Sequence, residues 1–144
     1  MLNKKNILVF IDWYSPGYKA GGPTQSIVNM TQHLEGDFNF KIFTRDTDYT
    51  ETKPFTTIKS NEWNKVTENV DVYYASEAKV NLTLISKIIS ESNCDTVFIN
   101  GIYSVKFSML PLIAARRFKN KKTIVSARGM LAESAINIKK FKIM

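Results

Sequence analysis

Ile7-Leu8-Val9-Phe10-Ile11, closed by Asp12, is the stretch that decides the fold. Five successive apolar side chains without alternation mark a strand buried on both faces, as strands of a parallel sheet are. The segment that follows, Trp13-Tyr14-Ser15-Pro16-Gly17-Tyr18-Lys19-Ala20-Gly21-Gly22-Pro23, holds two Pro, three Gly and three aromatics and suits neither strand nor helix. Ile27, Met30, Thr31 and Leu34 then recur at helical spacing, with Pro23 suited to a first turn and Gly36 to a stop. The unit is strand, glycine-rich loop, helix.

The same rhythm continues along the chain. A second strand is expected over 38–44, then a polar stretch from Arg45 to Lys65 that reads as a long loop or irregular excursion, of the kind that is functional or mobile in compact domains. A third strand is expected over 70–75, and a helix carried by Leu82, Ile85, Ile88 and Ile89. Thr96-Val97-Phe98-Ile99 is a fourth strand, followed by Asn100-Gly101. Phe107, Leu110, Pro111, Ile113, Ala114 and Phe118 trace a third helix, and Thr123-Ile124-Val125-Ser126-Ala127 a fifth strand. Strands alternating with helices imply right-handed βαβ crossovers. The expected fold is α/β: a doubly wound, mainly parallel sheet with helices on both faces, Rossmann-like.

Composition bounds the rest. With 144 residues and 44% apolar positions the chain can bury a core without staples, and it reads as a single domain over 1–144. One Cys excludes an internal disulfide, and Cys94 with His33 cannot supply a tetrahedral zinc site, so no metal is expected. The run from Ile7 to Ile11 is far shorter than a membrane span or a signal-peptide core, which reads as a cytoplasmic protein. The net charge of +7 suits nucleic acid, an anionic membrane surface or phosphorylated ligands, or simply a solvated surface. Its distribution argues against nucleic acid. Cations mix with acids until Arg116, after which Arg116, Arg117, Lys119, Lys121, Lys122, Arg128, Lys139, Lys140 and Lys142 face only Glu133.

Ligands of open parallel sheets sit outside the carboxyl ends of the strands, so three loops carry the candidate residues. After the first strand, Gly21 and Gly22 stand at a helix start, where free amides and the helix dipole favour a phosphate; a tight turn with a cap is the plainer alternative. Their spacing fits neither the dinucleotide fingerprint nor the P-loop. Trp13, Tyr14 and Tyr18 are either local packing or a flat wall for a sugar ring or base. After the fourth strand, Asn100-Gly101-Ile102-Tyr103-Ser104 offers hydrogen bonds to a polyhydroxylated ligand, unless Ser104 or Ser108 simply caps the helix. After the fifth, Arg128 is placed either to fork onto an anion or to form a surface ion pair. His33 reads as a surface residue and Cys94 as packing.

Phe10-Ile11-Asp12-Trp13-Tyr14-Ser15-Pro16-Gly17-Tyr18-Lys19-Ala20-Gly21-Gly22-Pro23 resembles the N-terminal segment of glycosyltransferase family 4 enzymes, which have the two-domain GT-B fold. Glu62-Trp63-Asn64-Lys65-Val66, Asn100-Gly101-Ile102-Tyr103-Ser104 and Ser126-Ala127-Arg128-Gly129-Met130-Leu131 resemble further blocks of that family in the same order. The resemblance implies metal-independent transfer of a sugar, with retention, from a nucleotide-sugar donor to a lipid-linked or polysaccharide acceptor. By position, Gly21 and Gly22 would face the donor diphosphate, and Tyr18, Lys19, Asn100, Tyr103, Ser104, Arg128 and Gly129 would line the acceptor side. Arg128-Gly129 stands where many relatives carry a His. The donor-binding second domain of the family has no counterpart in these residues, so the resemblance implies an incomplete enzyme, inactive alone, or a half paired with a separate donor domain. A half-cleft also implies exposed apolar surface and self-association. The reading from a different class is a basic α/β module for anionic partners, peripheral at the inner face of a membrane.

Overall fold

The computed structural model describes residues 4–102 and 104–126. They form one six-stranded sheet: β1 (Lys5–Phe10), β2 (Phe38–Arg45), β3 (Trp63–Thr67), β4 (Val70–Ala75), β5 (Thr96–Asn100) and β6 (Lys122–Ser126), in spatial order β3-β4-β2-β1-β5-β6. Every neighbouring pair is parallel except β3 with β4. Three helices cover it: α1 (Gly22–His33), α2 (Leu82–Glu91) and α3 (Leu110–Ala115). This is the expected α/β architecture, Rossmann-like in its mostly parallel sheet.

Alternation of side chains along the strands divides the core in two. Leu8, Phe10, Phe43, Val97 and Ile99 face α2 and α3, meeting Ile85, Ile89, Phe107 and Ala114. Val9, Ile11, Phe40, Ile42, Val72 and Tyr74 face the other way, toward Ile27 of α1. Because β1 is central, most of its apolar pentad is enclosed: Leu8, Val9 and Phe10 expose nothing, Ile11 almost nothing, and Ile7 at the start is partly buried. The helices begin where local chemistry allows. Asn81 caps α2 by accepting from the Leu84 amide at 2.8 Å, while α1 starts after Gly21 at φ 73°, with Pro23 in its first turn.

Two expectations are corrected. The polar stretch ends in a strand, β3, which begins at Trp63; it escapes a reading by periodicity because it is an edge strand whose last three residues are exposed. The rest of the stretch, 46–62, is the expected irregular excursion, and it is tied down. Asp46 accepts from Ser60 and Ser76 hydroxyls at 2.8 and 3.1 Å, its carbonyl takes the Phe55 amide at 2.8 Å, and Asn61 donates its amide to the Tyr74 carbonyl at 2.6 Å. Phe55 and Ile58 then pack on the α1-side core. Finally, Ile113 is 48% exposed, not part of the buried face of the third helix. The buried set is Phe107, Ser108, Pro111, Ala114 and Ala115, and a residue two places after Pro111 points about 200° away from it around a helix of 3.6 residues per turn. Phe118 lies past the end of α3 but still packs on the core.

Candidate functional site

The strand order reverses beside β1. From β1 the chain builds outward through β2 and β4, then returns to add β5 on the other side of β1. Loops leaving β1 and β5 therefore diverge and open a crevice at the carboxyl edge of the sheet. A hollow of about 280 Å³ lies there, lined by Asp12, Trp13, Lys19, Pro23, Tyr49 and Asn100. A second hollow of about 480 Å³ adjoins it and shares Asp12 and Trp13, with Arg45, Glu77, Ser104 and Lys106 on its other sides.

Arg45, the last residue of β2, organises this edge. Its Nη2 and Nε reach Asp12 Oδ1 at 3.1 and 3.4 Å, and its Nη1 pairs with Glu77 after β4. The guanidinium also lies over the rings of Trp13 and Phe107, 5.1 and 4.7 Å from their centroids. Asp12 and Glu77 are thereby held as oriented acceptors at one rim. Lys106 donates to the Glu77 carbonyl at 2.7 Å and closes the far side.

The loop after β1 is fastened at four points. Asp12 binds Arg45 through its carbonyl as well, which accepts the Arg45 amide at 3.2 Å. Thr24 in the first turn of α1 donates its hydroxyl to the Trp13 carbonyl at 2.7 Å. Tyr74 donates to the Ser15 carbonyl at 2.6 Å, and burial pushes its phenol far above the ordinary range, so the proton stays in place. Asp48, nearly buried, accepts the amides of Tyr18, Lys19 and Tyr49 at 3.1, 3.2 and 2.7 Å. A Cβ on Gly17 would sit 2.7 Å from Asp48 Oδ1, so the loop needs glycine there for Asp48 to approach.

The sequence-derived candidates divide. Asn100 and Lys19 line the hollow, Lys19 being paired with Glu51, whose carboxylate raises the ammonium's pKa. At the start of α1 Gly21 uses its φ freedom, no side chain caps the helix, and the space where a Cβ of Gly21 or Gly22 would lie is open. Of the three aromatics only Trp13 forms a wall: Tyr14 is in the core and Tyr18 is 77% exposed. Ser104 lines the second hollow, and its Oγ accepts the Phe107 amide at 3.1 Å as a helix cap, the plainer of its two readings. Tyr103, Arg128 and Gly129 lie outside the described residues. His33 is exposed and Cys94 buried.

Sequence reasoning missed Arg45, Glu77 and Asp48 as contributors. The available signal was a charged residue at the carboxyl end of a strand, since Arg45 closes Phe-Lys-Ile-Phe-Thr-Arg. Among the described residues no group of three His, Cys, Asp or Glu side chains gathers to hold a metal. Ser104→Ala is expected to cost about 1 kcal/mol through the lost cap, a drop of about 3 °C in thermal midpoint by calorimetry. Ser104→Asp, which still caps, should retain the midpoint.

The fold and this edge define a mostly parallel α/β domain whose crevice lies at the reversal of strand order. In comparisons with known proteins, no family model, no curated protein and no solved structure matches the chain.

Proposed function

We propose that this chain is the acceptor-side domain of a retaining glycosyltransferase, binding the glycan that receives a sugar from a nucleotide-sugar donor. The observation that carries the reading is the composition of the crevice beside β1. An oriented carboxylate, Asp12, and an amide, Asn100, stand around the indole of Trp13. Sugar hydroxyls donate to such carboxylates, amides complete their hydrogen bonds, and the C–H face of a pyranose packs on an aromatic ring. The uncapped start of α1 next to this hollow suits a phosphate-bearing neighbour, which is the place that the family resemblance gives to Gly21 and Gly22. In such an enzyme this half contributes orientation of the attacking hydroxyl, and stabilisation of the departing diphosphate falls largely to the partner domain.

Isothermal titration of the chain with a panel of oligosaccharides and with nucleotide sugars tests this. Saturable binding of a glycan, weakened about tenfold or more by Asp12→Asn because an acceptor of charge-assisted bonds is lost, is the expected result. Robust binding of nucleotide sugar alone, with no glycan bound, overturns the assignment.

A further inference from the structure

We infer that the outer face of the third helical segment is a docking surface for an anionic phospholipid membrane. Val105, Met109 and Ile113, four residues apart, are 60%, 49% and 48% exposed. They stand in register because the segment opens with a wide turn, in which the Met109 amide reaches back five residues to the Ser104 carbonyl at 2.9 Å, before α3 proper. Large apolar side chains in such a row, on the side of a helix opposite its core face, form an exposed ridge.

The ridge runs into a cluster of cations. Between Asp95 and Glu133 the sequence contains no acid. Arg116, Arg117, Lys119 and Lys122 follow the ridge and are exposed, and none of them forms an ion pair with an acid of the described residues. Lys121 beside them donates to the Cys94 carbonyl at 2.6 Å, and Asp95 at the same edge of the sheet is engaged by the Asn6 amide. Leu112, Ala115 and Phe118 floor an open groove among these cations. Apolar side chains that enter the headgroup region, next to unpaired Lys and Arg that attract acidic headgroups, are the two components of interfacial binding. A polyanion such as RNA would use the cations and leave Val105, Met109 and Ile113 without a partner.

The ridge begins at the crevice. Val105 and Lys106 line the second hollow, so a membrane lying along the ridge brings its headgroups to the mouth of the site. Docking itself does not depend on the sugar reading, and vesicles without any glycan test it separately.

The experiment is co-sedimentation of the full chain with phosphatidylcholine vesicles, with and without 30% phosphatidylglycerol (about the anionic fraction that attracts basic segments). Binding is expected only to the anionic vesicles. Arg116→Glu/Arg117→Glu and Met109→Ser/Ile113→Ser should each weaken it by about tenfold or more, one through charge and the other through lost apolar burial. Lys53→Glu/Lys59→Glu, an equal charge change at exposed positions elsewhere, should leave it unchanged. All six positions are exposed, and circular dichroism verifies that the variants fold. The proposal is overturned if the chain ignores anionic vesicles, if Met109→Ser/Ile113→Ser binds as the parent does, or if Lys53→Glu/Lys59→Glu loses as much as Arg116→Glu/Arg117→Glu.

Discussion

Asp48→Ala is expected to destabilise the chain by about 3 kcal/mol and to free the whole loop between β1 and α1. The carboxylate accepts three backbone amides, from Tyr18, Lys19 and Tyr49, and its residue is only 7% exposed. Bonds from backbone amides to a charged acceptor contribute about 1.5–3 kcal/mol each; water entering the vacated space recovers part of the sum. For a domain of this size the thermal midpoint should fall by about 10 °C. Hydrogen exchange gives the sharper readout. Protection should drop at the Tyr18, Lys19 and Tyr49 amides while the β1 amides, sealed between β2 and β5, remain slow. Unchanged protection at those three amides would show that the loop is held by other means. Asp48→Asn should fall between, since one oxygen survives but the new NH₂ faces donors.

Arg45→Ala is expected to cost about 2 kcal/mol and to weaken the proposed glycan binding about tenfold, by leaving Asp12 and Glu77 without their shared cation. The stability figure is kept modest because the Arg45 and Asp12 side chains are each 18% exposed, where water partly screens the charges. The loss of the proposed binding follows because Asp12 is held in its orientation by the guanidinium. Arg45→Lys should not rescue it: an ammonium cannot span two carboxylates while lying flat over Trp13 and Phe107. A double-mutant cycle with Asp12→Asn should give a coupling of about 1 kcal/mol, measured by urea unfolding. Additive effects would mean that Arg45 acts through packing on the two rings alone.

Much of this architecture is legible in the residues, for reasons that also explain the gaps. β1, β4 and β5 announce themselves because full or alternate burial forces apolar residues into fixed positions, and the loop at Gly21 because only glycine takes its φ readily. β3 pairs on one side only, with its later residues in water, so Asn64, Lys65 and Thr67 carry no apolar signature. Ile113 misleads because an apolar residue inside a helical stretch is ordinarily counted toward the core, and the direction it points depends on the register of Phe107 and Pro111. In the crevice, Asn100 and Lys19 could be found from the position of their loops. The contacts of Arg45 with Asp12 and Glu77 join residues more than thirty positions apart, and nothing local in the sequence encodes them.

Segment 46–62 combines two duties in one stretch of chain. The passage from β2 to β4 uses no helix, so Phe55 and Ile58 roof the core beside Tyr74 while Tyr49 walls the crevice from the same stretch of chain. Any reshaping of that wall to admit a bulkier ligand is transmitted through Asp46 and Asp48 to the roof. A variant that reshapes the Tyr49 wall is therefore one whose thermal midpoint should be measured alongside any change in the crevice.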